Sequence, residues 1–347
     1  MRIFSCASLC AALALSIFAT PLTAAPALAD GTVNIYSYRE PKLIDPLLNA
    51  FTSKTGIKTN VVFATSGLIE RLAAEGKNSP ADVLLTNESG LLIQAVTAGV
   101  TAPLTSDVLM QKVPAELRDP TGHWFGLTRR ARVVYASKDR VKQTAITYEE
   151  LADPKWRGKI CVRSGQHTYN IALIASMIAH LGEEKAETWL TGLKNNLARK
   201  PAGGDREQVR DVQAGLCDLA IGNTYYMVAM QHSPEQKAWA DAVRIIFPNA
   251  NDRGTHVNVS GMALVANAPN RDNAKALMEF LVTPEAQKLY ADVNGEYPVV
   301  AGVPASEIVQ SWGPLKADTL PLSKISELRK QASEMVDRVR FDAGPNS

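Results

Sequence analysis

Two adjacent tyrosines lie where a predicted strand ends. Tyr225 and Tyr226 follow a short apolar run at residues 219–222, and Tyr169 lies earlier, in a predicted turn between a strand and a helix. Ligands of α/β proteins bind beyond the carboxyl ends of the strands, so these three phenols are candidates for a ligand site. The alternative to a ligand-binding role is a structural one, in which each tyrosine is a half-buried ring with a hydrogen-bonded hydroxyl. The residues alone do not decide between the ligand-binding and the structural role.

No motif of a known enzyme class accompanies these tyrosines. The sequence has no GxSxG nucleophile elbow, no HExxH zinc motif, no GxGxxG fingerprint and no Walker A loop. The five histidines are scattered, at positions 123, 167, 180, 232 and 256. A secreted hydrolase with a non-standard site would need a nucleophile and a base that are not recognisable here. The sequence therefore predicts a binding protein and not an enzyme.

Residues 1–29 have the three parts of a secretory signal peptide. Arg2 gives the positive start, residues 3–19 form an uncharged apolar stretch, and residues 27–29 form a small-x-small cleavage site. An uncleaved anchor and a lipoprotein are alternatives, but two prolines follow the stretch and no small residue directly precedes Cys10. We therefore expect a cleaved leader and a periplasmic location.

The cysteines agree with export. Cys6 and Cys10 leave with the signal peptide, and Cys161 and Cys217 remain. An even pair in an exported protein is expected to form a disulfide, which would stabilise the fold by about 3–5 kcal/mol through chain entropy. A metal site of two thiolates is the alternative, but no CxxC pair or Cys/His cluster accompanies them.

The composition restricts the class of protein. The chain has 347 residues, of which 46% are hydrophobic and 21% charged, and its formal net charge is +2. These values are ordinary for a globular protein of two domains and exclude a disordered or coiled-coil chain. There is no basic excess for nucleic acid, and beyond the signal peptide no stretch suits a polytopic membrane protein.

Strand and helix patterns alternate along the mature chain. β-rich runs occur at 32–38, 57–63, 82–85, 132–136, 159–162, 219–222, 240–247 and 257–266. Helical spacing of apolar residues occurs at 44–54, 66–72, 91–98, 171–181, 184–195, 206–214, 270–282, 284–294 and 323–338. This alternation predicts an α/β protein with parallel or mixed sheets and helices on both faces. Without a flexible linker, we expect two lobes joined by crossing strands, with a ligand cleft between them.

Several short blocks of this chain are shared, in order, with one protein family. They are VNIYSYR at 33–39, SGLIERL at 66–72, SPADV at 79–83, GLTRRARV at 126–133, DR at 205–206, NTYY at 223–226, GTHVN at 254–258 and EYPV at 296–299. Through these blocks the chain resembles the periplasmic ferric-iron-binding proteins of ABC transporters. The resemblance implies the two-lobed type 2 periplasmic binding protein fold. We assign residues 30–128 with 263–347 to an N-terminal lobe and residues 129–262 to a C-terminal lobe.

The resemblance also implies that Fe³⁺ binds in the cleft, with Tyr169, Tyr225 and Tyr226 in the positions of the family's phenolate ligands. Fe³⁺ is a hard acid that favours anionic oxygen. A free tyrosine has a pKa of about 10, but a bound cation favours the deprotonated phenol. Three phenolates neutralise the charge of the ion, which makes its burial tolerable.

The segment after the first strand departs from the family pattern. Many relatives place a His, or a His-Tyr pair, where this chain has Glu40 and Pro41. Glu40 is therefore a candidate further ligand. The alternatives are a water or an anion in that position, with Glu40 in an ordinary ion pair with Arg39 at the edge of the cleft.

A tyrosine-dominated site leaves room for a synergistic anion, which in the family is often carbonate. A guanidinium binds a small oxyanion through two parallel hydrogen bonds, which a lysine cannot do. Arg130 is the first candidate to bind the anion and Arg39 the second. Alternation along a strand puts Arg130 and Arg132 on one side and Arg129 on the other. The alternative to anion binding is that these three arginines form an ordinary solvated or interlobe salt-bridge face.

Together these patterns predict a monomeric periplasmic receptor. We expect it to capture ferric iron and deliver it to an inner-membrane ABC permease and its ATPase, with no nucleic acid as partner. A receptor of the same fold for another solute, such as an organic anion, a polyamine or chelated iron, is the first alternative. A secreted hydrolase is the second.

Overall fold

The computed structural model describes residues 31–345 and 347, so the predicted signal peptide lies outside the described residues. The strands are β1 (Thr32–Ser37), β2 (Lys58–Phe63), β3 (Val83–Thr86), β4 (Thr101–Ala102), β5 (Phe125–Ser137), β6 (Ile160–Cys161), β7 (Leu219–Asn223), β8 (Val243–Ile246), β9 (Val257–Val265) and β10 (Tyr297–Pro298).

The α-helices alternate with these strands over most of the described chain. They are α1 (Pro41–Thr55), α2 (Leu68–Glu75), α3 (Ser89–Thr97), α4 (Asp107–Lys112), α5 (Thr168–Leu181), α6 (Glu183–Asn195), α7 (Asp205–Gln213), α8 (Tyr225–Gln231), α9 (Lys237–Asp241), α10 (Arg271–Leu281), α11 (Pro284–Asn294), α12 (Glu307–Gln310), α13 (Leu322–Glu327) and α14 (Arg329–Arg338). Short 3₁₀ turns lie between some of them.

The strands form two sheets that share one long strand. In sheet I, β1 pairs in parallel with β2 and β3, β3 pairs antiparallel with β9, and β9 pairs with residues 125–131 of β5. In sheet II, residues 132–137 of the same strand pair antiparallel with β7 and β8, and β6 pairs in parallel with β7. The predicted α/β architecture of mixed sheets linked by crossing strands is therefore confirmed, and β5 is the strand that crosses.

The helical spacing of the sequence places apolar side chains inward. In α1 the buried residues are Ile44, Leu47, Leu48 and Phe51, the residues on which the predicted helix rests. The ring of Phe51 packs 5.6 Å from that of Phe280 on α10. Each such side chain stabilises the folded state by about 1.5–3 kcal/mol when fully buried, so the apolar contact between α1 and α10 holds both helices beside sheet I.

The C-terminal helices contact elements on both sides of the crossing strands. α13 packs against α3 and α5, and α14 packs against α5. Where the sequence predicts one helix over 323–338, the structure has two, which meet at Leu328. α13 contacts both α3 and α5, whereas α14 contacts α5 and the 3₁₀ turn at 341–343. α14 belongs to the segment assigned from sequence to the N-terminal lobe, and α5 to the segment assigned to the C-terminal lobe.

Cys161 and Cys217 form a disulfide, as predicted from the sequence. Both residues are buried, and the bond ties β6 to the segment before β7. A two-thiolate metal site is thereby excluded. Within the described residues, no helix is long and apolar enough to cross a membrane.

The disulfide makes a testable contribution to stability. In the mature chain, Cys161→Ala with Cys217→Ala is expected to lower the free energy of unfolding by about 3 kcal/mol, because the unfolded chain regains the entropy of the opened loop. Urea unfolding followed by tryptophan fluorescence measures this. Wild type under reducing conditions serves as the control and should match the variant. A difference under about 0.5 kcal/mol would contradict the expectation.

Candidate functional site

A cavity of about 570 Å³ lies between the elements of sheet I and those of sheet II. Tyr38, Arg39 and Glu40 reach it from the carboxyl end of β1, and Glu88 from the segment after β3. The opposite wall is built from the first turns of two helices and from the start of α14, and its residues are His167, Thr168, Tyr169, Tyr225, Tyr226 and Arg329. Strand ends and helix starts thus converge on one space, as the predicted fold requires.

The structure brings the three candidate tyrosines together. Tyr169 lies in the first turn of α5, and Tyr225 and Tyr226 in the first turn of α8, directly after β7. The hydroxyl oxygens of Tyr169 and Tyr225 are 3.4 Å apart. The rings of Tyr225 and Tyr226 lie 4.1 Å apart between centroids, at an angle of 30°. Three phenols of this kind form a cluster of oxygen donors at one end of the cavity.

The surroundings of Tyr225 and Tyr226 favour the neutral form of these two phenols. Burial, together with the neighbouring Tyr169, raises the pKa of Tyr225 well above its ordinary value. The same two causes raise the pKa of Tyr226 to about 12. Deprotonating the cluster therefore needs a compensating positive charge in the cavity, which a bound cation supplies.

Arg130 is a buried cation beside this cluster. Its side chain is fully buried, with the guanidinium carbon 5.4 Å from the centre of the Tyr169 ring and 5.9 Å from that of Tyr225. None of its three side-chain nitrogens has a hydrogen-bond partner among the described residues. Burial lowers the pKa of Arg130, but Tyr169 and Glu296 outweigh burial and leave the pKa raised. A protonated guanidinium without partners is costly to bury, so the site favours an anionic neighbour.

A hydrogen-bonded network fixes the backbone that carries the tyrosines. Arg132 donates to Asp205 at 2.6 Å and to the side-chain oxygen of Asn170 at 2.7 Å. Asp205 also accepts from Arg163 at 3.2 Å and from the backbone N–H of Asn223 at 2.8 Å. Asn170 follows Tyr169 and Asn223 ends β7, so the network sets the start of α5 relative to the start of α8. Sequence reasoning did not single out Asp205, Asn170 or Asn223 as site-forming residues.

Arg39 already has a carboxylate partner. It donates to Glu296 at 2.7 Å, and Thr128 donates to the other oxygen of the same carboxylate. Burial raises the pKa of Glu296, but Arg39 and Arg130 outweigh it and leave the pKa lowered. Arg39 therefore reaches the cavity as half of an ion pair, whereas all three side-chain nitrogens of Arg130 lack a partner within the described part of the chain.

The three arginines of β5 alternate as the strand pattern predicts. Arg130 and Arg132 both approach the ring of Tyr169, at 5.4 and 5.9 Å. Arg129 points to the other side, where it donates to the backbone oxygen of Pro298 at 3.2 Å.

Glu40 lies at the rim of the cavity, where it is exposed. The expected ion pair between Glu40 and Arg39 does not form, because the buried Glu296 takes Arg39 and Glu40 pairs with Lys42 at 2.8 Å. Glu40 directly precedes α1, and its exposed pair holds it only weakly.

His167 is a cavity residue that sequence reasoning missed, since five scattered histidines give no signal. Its ring lies edge-on to Tyr169 at 4.7 Å, and its Nδ1 accepts from the backbone N–H of Tyr169 at 3.2 Å. Burial, with Arg163 and Arg132, lowers the pKa of His167 to about 3. The imidazole is therefore neutral and supports the turn before α5. Across residues 31–345 and 347, no group of three His, Cys, Asp or Glu side chains is placed to hold a metal ion.

Two halves that share crossing strands and enclose a polar cavity define a two-lobed ligand-binding protein. The chain belongs to the family of bacterial extracellular solute-binding proteins, whose profile matches residues 78–315. The prediction of a binding protein and not an enzyme is therefore confirmed. Similarity to solved structures also confirms the predicted type 2 periplasmic binding protein fold.

Similar proteins include iron uptake and ferric-binding proteins. The chain is 45% identical over 309 residues to Iron uptake protein A1 of Synechocystis sp., covering 88% of this chain and 86% of that protein. The solved structure of the Bordetella ferric binding protein is 53% identical, with a TM-score of 0.85 over 90% of this chain and 99% of that one. A Trichodesmium protein in complex with iron and citrate ligands is 44% identical, with a TM-score of 0.86 over 90% and 100%. The resemblance to ferric-binding proteins is thus confirmed.

The phenol cluster gives a pH prediction for the metal-free protein. The raised pKa values of Tyr225 and Tyr226 mean that the folded chain binds more protons than the unfolded chain between about pH 10 and 12, so folding stability falls as pH rises through this range. In an ultraviolet phenolate titration, Tyr225→Phe with Tyr226→Phe should remove absorbance change only above about pH 11. Loss of signal below pH 10 would show instead that the two phenols titrate normally.

Proposed function

We propose that the protein is a receptor for ferric iron and binds the ion through the phenolates of Tyr169, Tyr225 and Tyr226. The observation that carries the proposal is the convergence of these three phenols in one cavity, with two hydroxyls 3.4 Å apart. The iron-related names of the similar proteins support it.

Charge balance explains why neutral phenols suit this ion. Binding Fe³⁺ displaces three phenolic protons, and the resulting phenolates match the charge of the ion. Because protons compete with the ion for the same oxygens, iron affinity falls as pH falls. The network around Asp205 holds the two helix starts in place, so that the ligands meet the ion already oriented.

The remaining coordination positions belong, in this proposal, to a synergistic anion such as carbonate. Arg130 is its anchor, because all three of its side-chain nitrogens lack partners in the part of the chain that the structure describes, and its guanidinium lies beside Tyr169 and Tyr225. Arg39 contributes less, because Glu296 already occupies it. Glu40 is proposed as a further ligand only for a state in which its exposed pair with Lys42 breaks.

The setting of the receptor follows from its family and its N-terminus. We propose that residues 1–29 are cleaved on export, that the mature protein works in the periplasm as a monomer, and that it delivers iron to an ABC permease driven by an ATPase. An extracellular solute-binding family supports this placement.

A ferric chelate is a second candidate solute. The cavity of about 570 Å³ is far larger than one ion, and Arg163 lines it in addition to the phenols. Arg163 donates to Asp205 from one nitrogen only, Nη1, and the rest of its guanidinium suits a carboxylate of an organic acid. The Trichodesmium protein, solved with iron and citrate, is similar over 90% of this chain.

The tyrosine ligands can be tested in the visible spectrum. Titrating the metal-stripped mature protein with ferric citrate should give a phenolate-to-iron charge-transfer band that saturates at one equivalent. Tyr225→Phe with Tyr226→Phe should abolish the band and weaken binding by at least about a hundredfold, since two anionic ligands are lost.

Tyr297→Phe is the matched control for this titration. Its buried hydroxyl has no hydrogen-bond partner among the described residues, and Tyr297 does not line the cavity, so loss of the hydroxyl should leave the band unchanged. A band that survives in the Tyr225→Phe, Tyr226→Phe variant, or a wild-type titration without colour, would contradict the proposed ligands.

The anion site can be tested by exchanging the guanidinium for an amine. Arg130→Lys keeps the positive charge but loses the planar guanidinium that makes two parallel hydrogen bonds. The variant should therefore keep the charge-transfer band, but the band should no longer depend on bicarbonate, and iron should bind about tenfold more weakly. Arg129→Lys, on the opposite side of the same strand, is the control and should behave as wild type. Unchanged bicarbonate dependence in Arg130→Lys would remove Arg130 from the anion site.

A further inference from the structure

One arginine of the C-terminal helix contacts both walls of the cavity. Arg329 is the first residue of α14, and its guanidinium donates from Nη1 to Glu88 at 3.1 Å and from Nη2 to the hydroxyl of Thr168 at 2.6 Å. All three residues line the cavity. Glu88 follows β3 of sheet I, whereas Thr168 begins α5, beyond the crossing strand. A single planar group thus joins the two halves at the place where ligand binds.

The partner of Arg329 in the first half is a buried carboxylate. Glu88 is 3% exposed, and its other hydrogen bond comes from the backbone N–H of Gly90 at 3.1 Å. Arg329 supplies the positive charge that such a buried carboxylate needs. Since Glu88 is also the N-cap of α3, the ion pair ends on a rigid element of the first half.

The partner in the second half directly precedes a proposed iron ligand, Tyr169. The turn at 164–168 is bound to the C-terminal segment at several points besides Arg329. The backbone N–H of Gly165 and the hydroxyl of Ser164 each donate to Asp342 at 2.6 Å. Gly165 packs so closely on Phe341 that a Cβ on Gly165 would lie 2.8 Å from the ring. The turn, Tyr169 and the C-terminal segment therefore move as one unit.

Because Glu88 and Thr168 belong to different halves, their separation changes whenever the halves rotate about the shared strand β5. The planar guanidinium of Arg329 can form its hydrogen bonds to Glu88 and to Thr168 together only at one angle between the halves. We propose that Arg329 is a positioning residue that sets the closed angle of the cleft, by holding the Tyr169 turn against Glu88 of the first half. This inference rests on the proposed function in so far as iron serves as the ligand that reports closure.

The proposal separates two properties of the iron complex. The three phenols all lie in the second half, so losing Arg329 leaves their mutual geometry and the charge-transfer wavelength unchanged. What changes is the fraction of protein that is closed, and apparent affinity falls with that fraction. For Arg329→Gln we expect iron to dissociate about tenfold faster into an excess of chelator.

The test compares four variants in two measurements. Arg329→Gln, Glu88→Gln and the double variant are measured beside Arg338→Gln, a control on the same helix whose partners Glu183 and Glu187 lie at the surface. Small-angle scattering of the metal-free proteins reports the angle between the halves. Stopped-flow loss of the charge-transfer band reports iron dissociation, and thermal unfolding checks that each variant is folded.

Arg329→Gln and Glu88→Gln should each give a larger radius of gyration and faster iron dissociation than Arg338→Gln, with the charge-transfer band at the same wavelength. The double variant should not differ from Arg329→Gln in either quantity. Two results would overturn the proposal: Arg329→Gln indistinguishable from Arg338→Gln, or an effect in Arg329→Gln that Glu88→Gln does not share. If wild type shows no band at all, the proposed iron function fails, while the scattering comparison still decides the role of Arg329.

Discussion

A fully buried guanidinium, which has no hydrogen-bond partner among residues 31–345 and 347, sets the electrostatics of the candidate site. Arg130 lies against the rings of Tyr169 and Tyr225, and burial with the neighbouring Tyr169 raises the pKa of Tyr225 well above its ordinary value. The positive charge of Arg130 repels a bare cation but attracts an anion, so the site favours a cation that arrives with anionic oxygen. In the proposed complex, three phenolates and one small oxyanion would satisfy both the ion and the arginine.

The rest of the fold serves to hold these groups at a boundary between two moving parts. β5 carries Arg130 and Arg132 at the point where its pairing changes from sheet I to sheet II. Arg132, through Asp205, fixes the helix starts that present the phenols. The three phenols therefore form a preorganised cluster in one half, with residues of the other half across the cavity from them, which is an arrangement suited to hinge closure around a ligand.

Many of the helices and strands, and the position of the tyrosines at a strand end, could be predicted from the sequence because they depend on patterns of neighbouring residues. The spacing of Ile44, Leu47, Leu48 and Phe51 predicts α1, and the strand end before Tyr225 predicts where its phenol lies. Shorter elements such as α4 and β4 carry too few residues for a periodic pattern. The long-range polar pairs could not be predicted: Arg39 and Glu296 are 257 residues apart, and no local rule assigns Glu296 rather than Glu40 as the partner. For the same reason no local pattern assigns Asp205 the role of fixing Tyr169 and Tyr225, although residues 205–206 belong to one of the shared blocks.

The most direct test of the account is to locate the metal. Crystals of the mature protein loaded with ferric iron and bicarbonate, measured on both sides of the iron absorption edge, give the position of the ion by anomalous scattering. The account predicts one peak within bonding distance of the phenolic oxygens of Tyr169, Tyr225 and Tyr226, with a small anion between the ion and Arg130. A peak bound instead by carboxylates at the cavity rim, or no peak in the cavity, would contradict it.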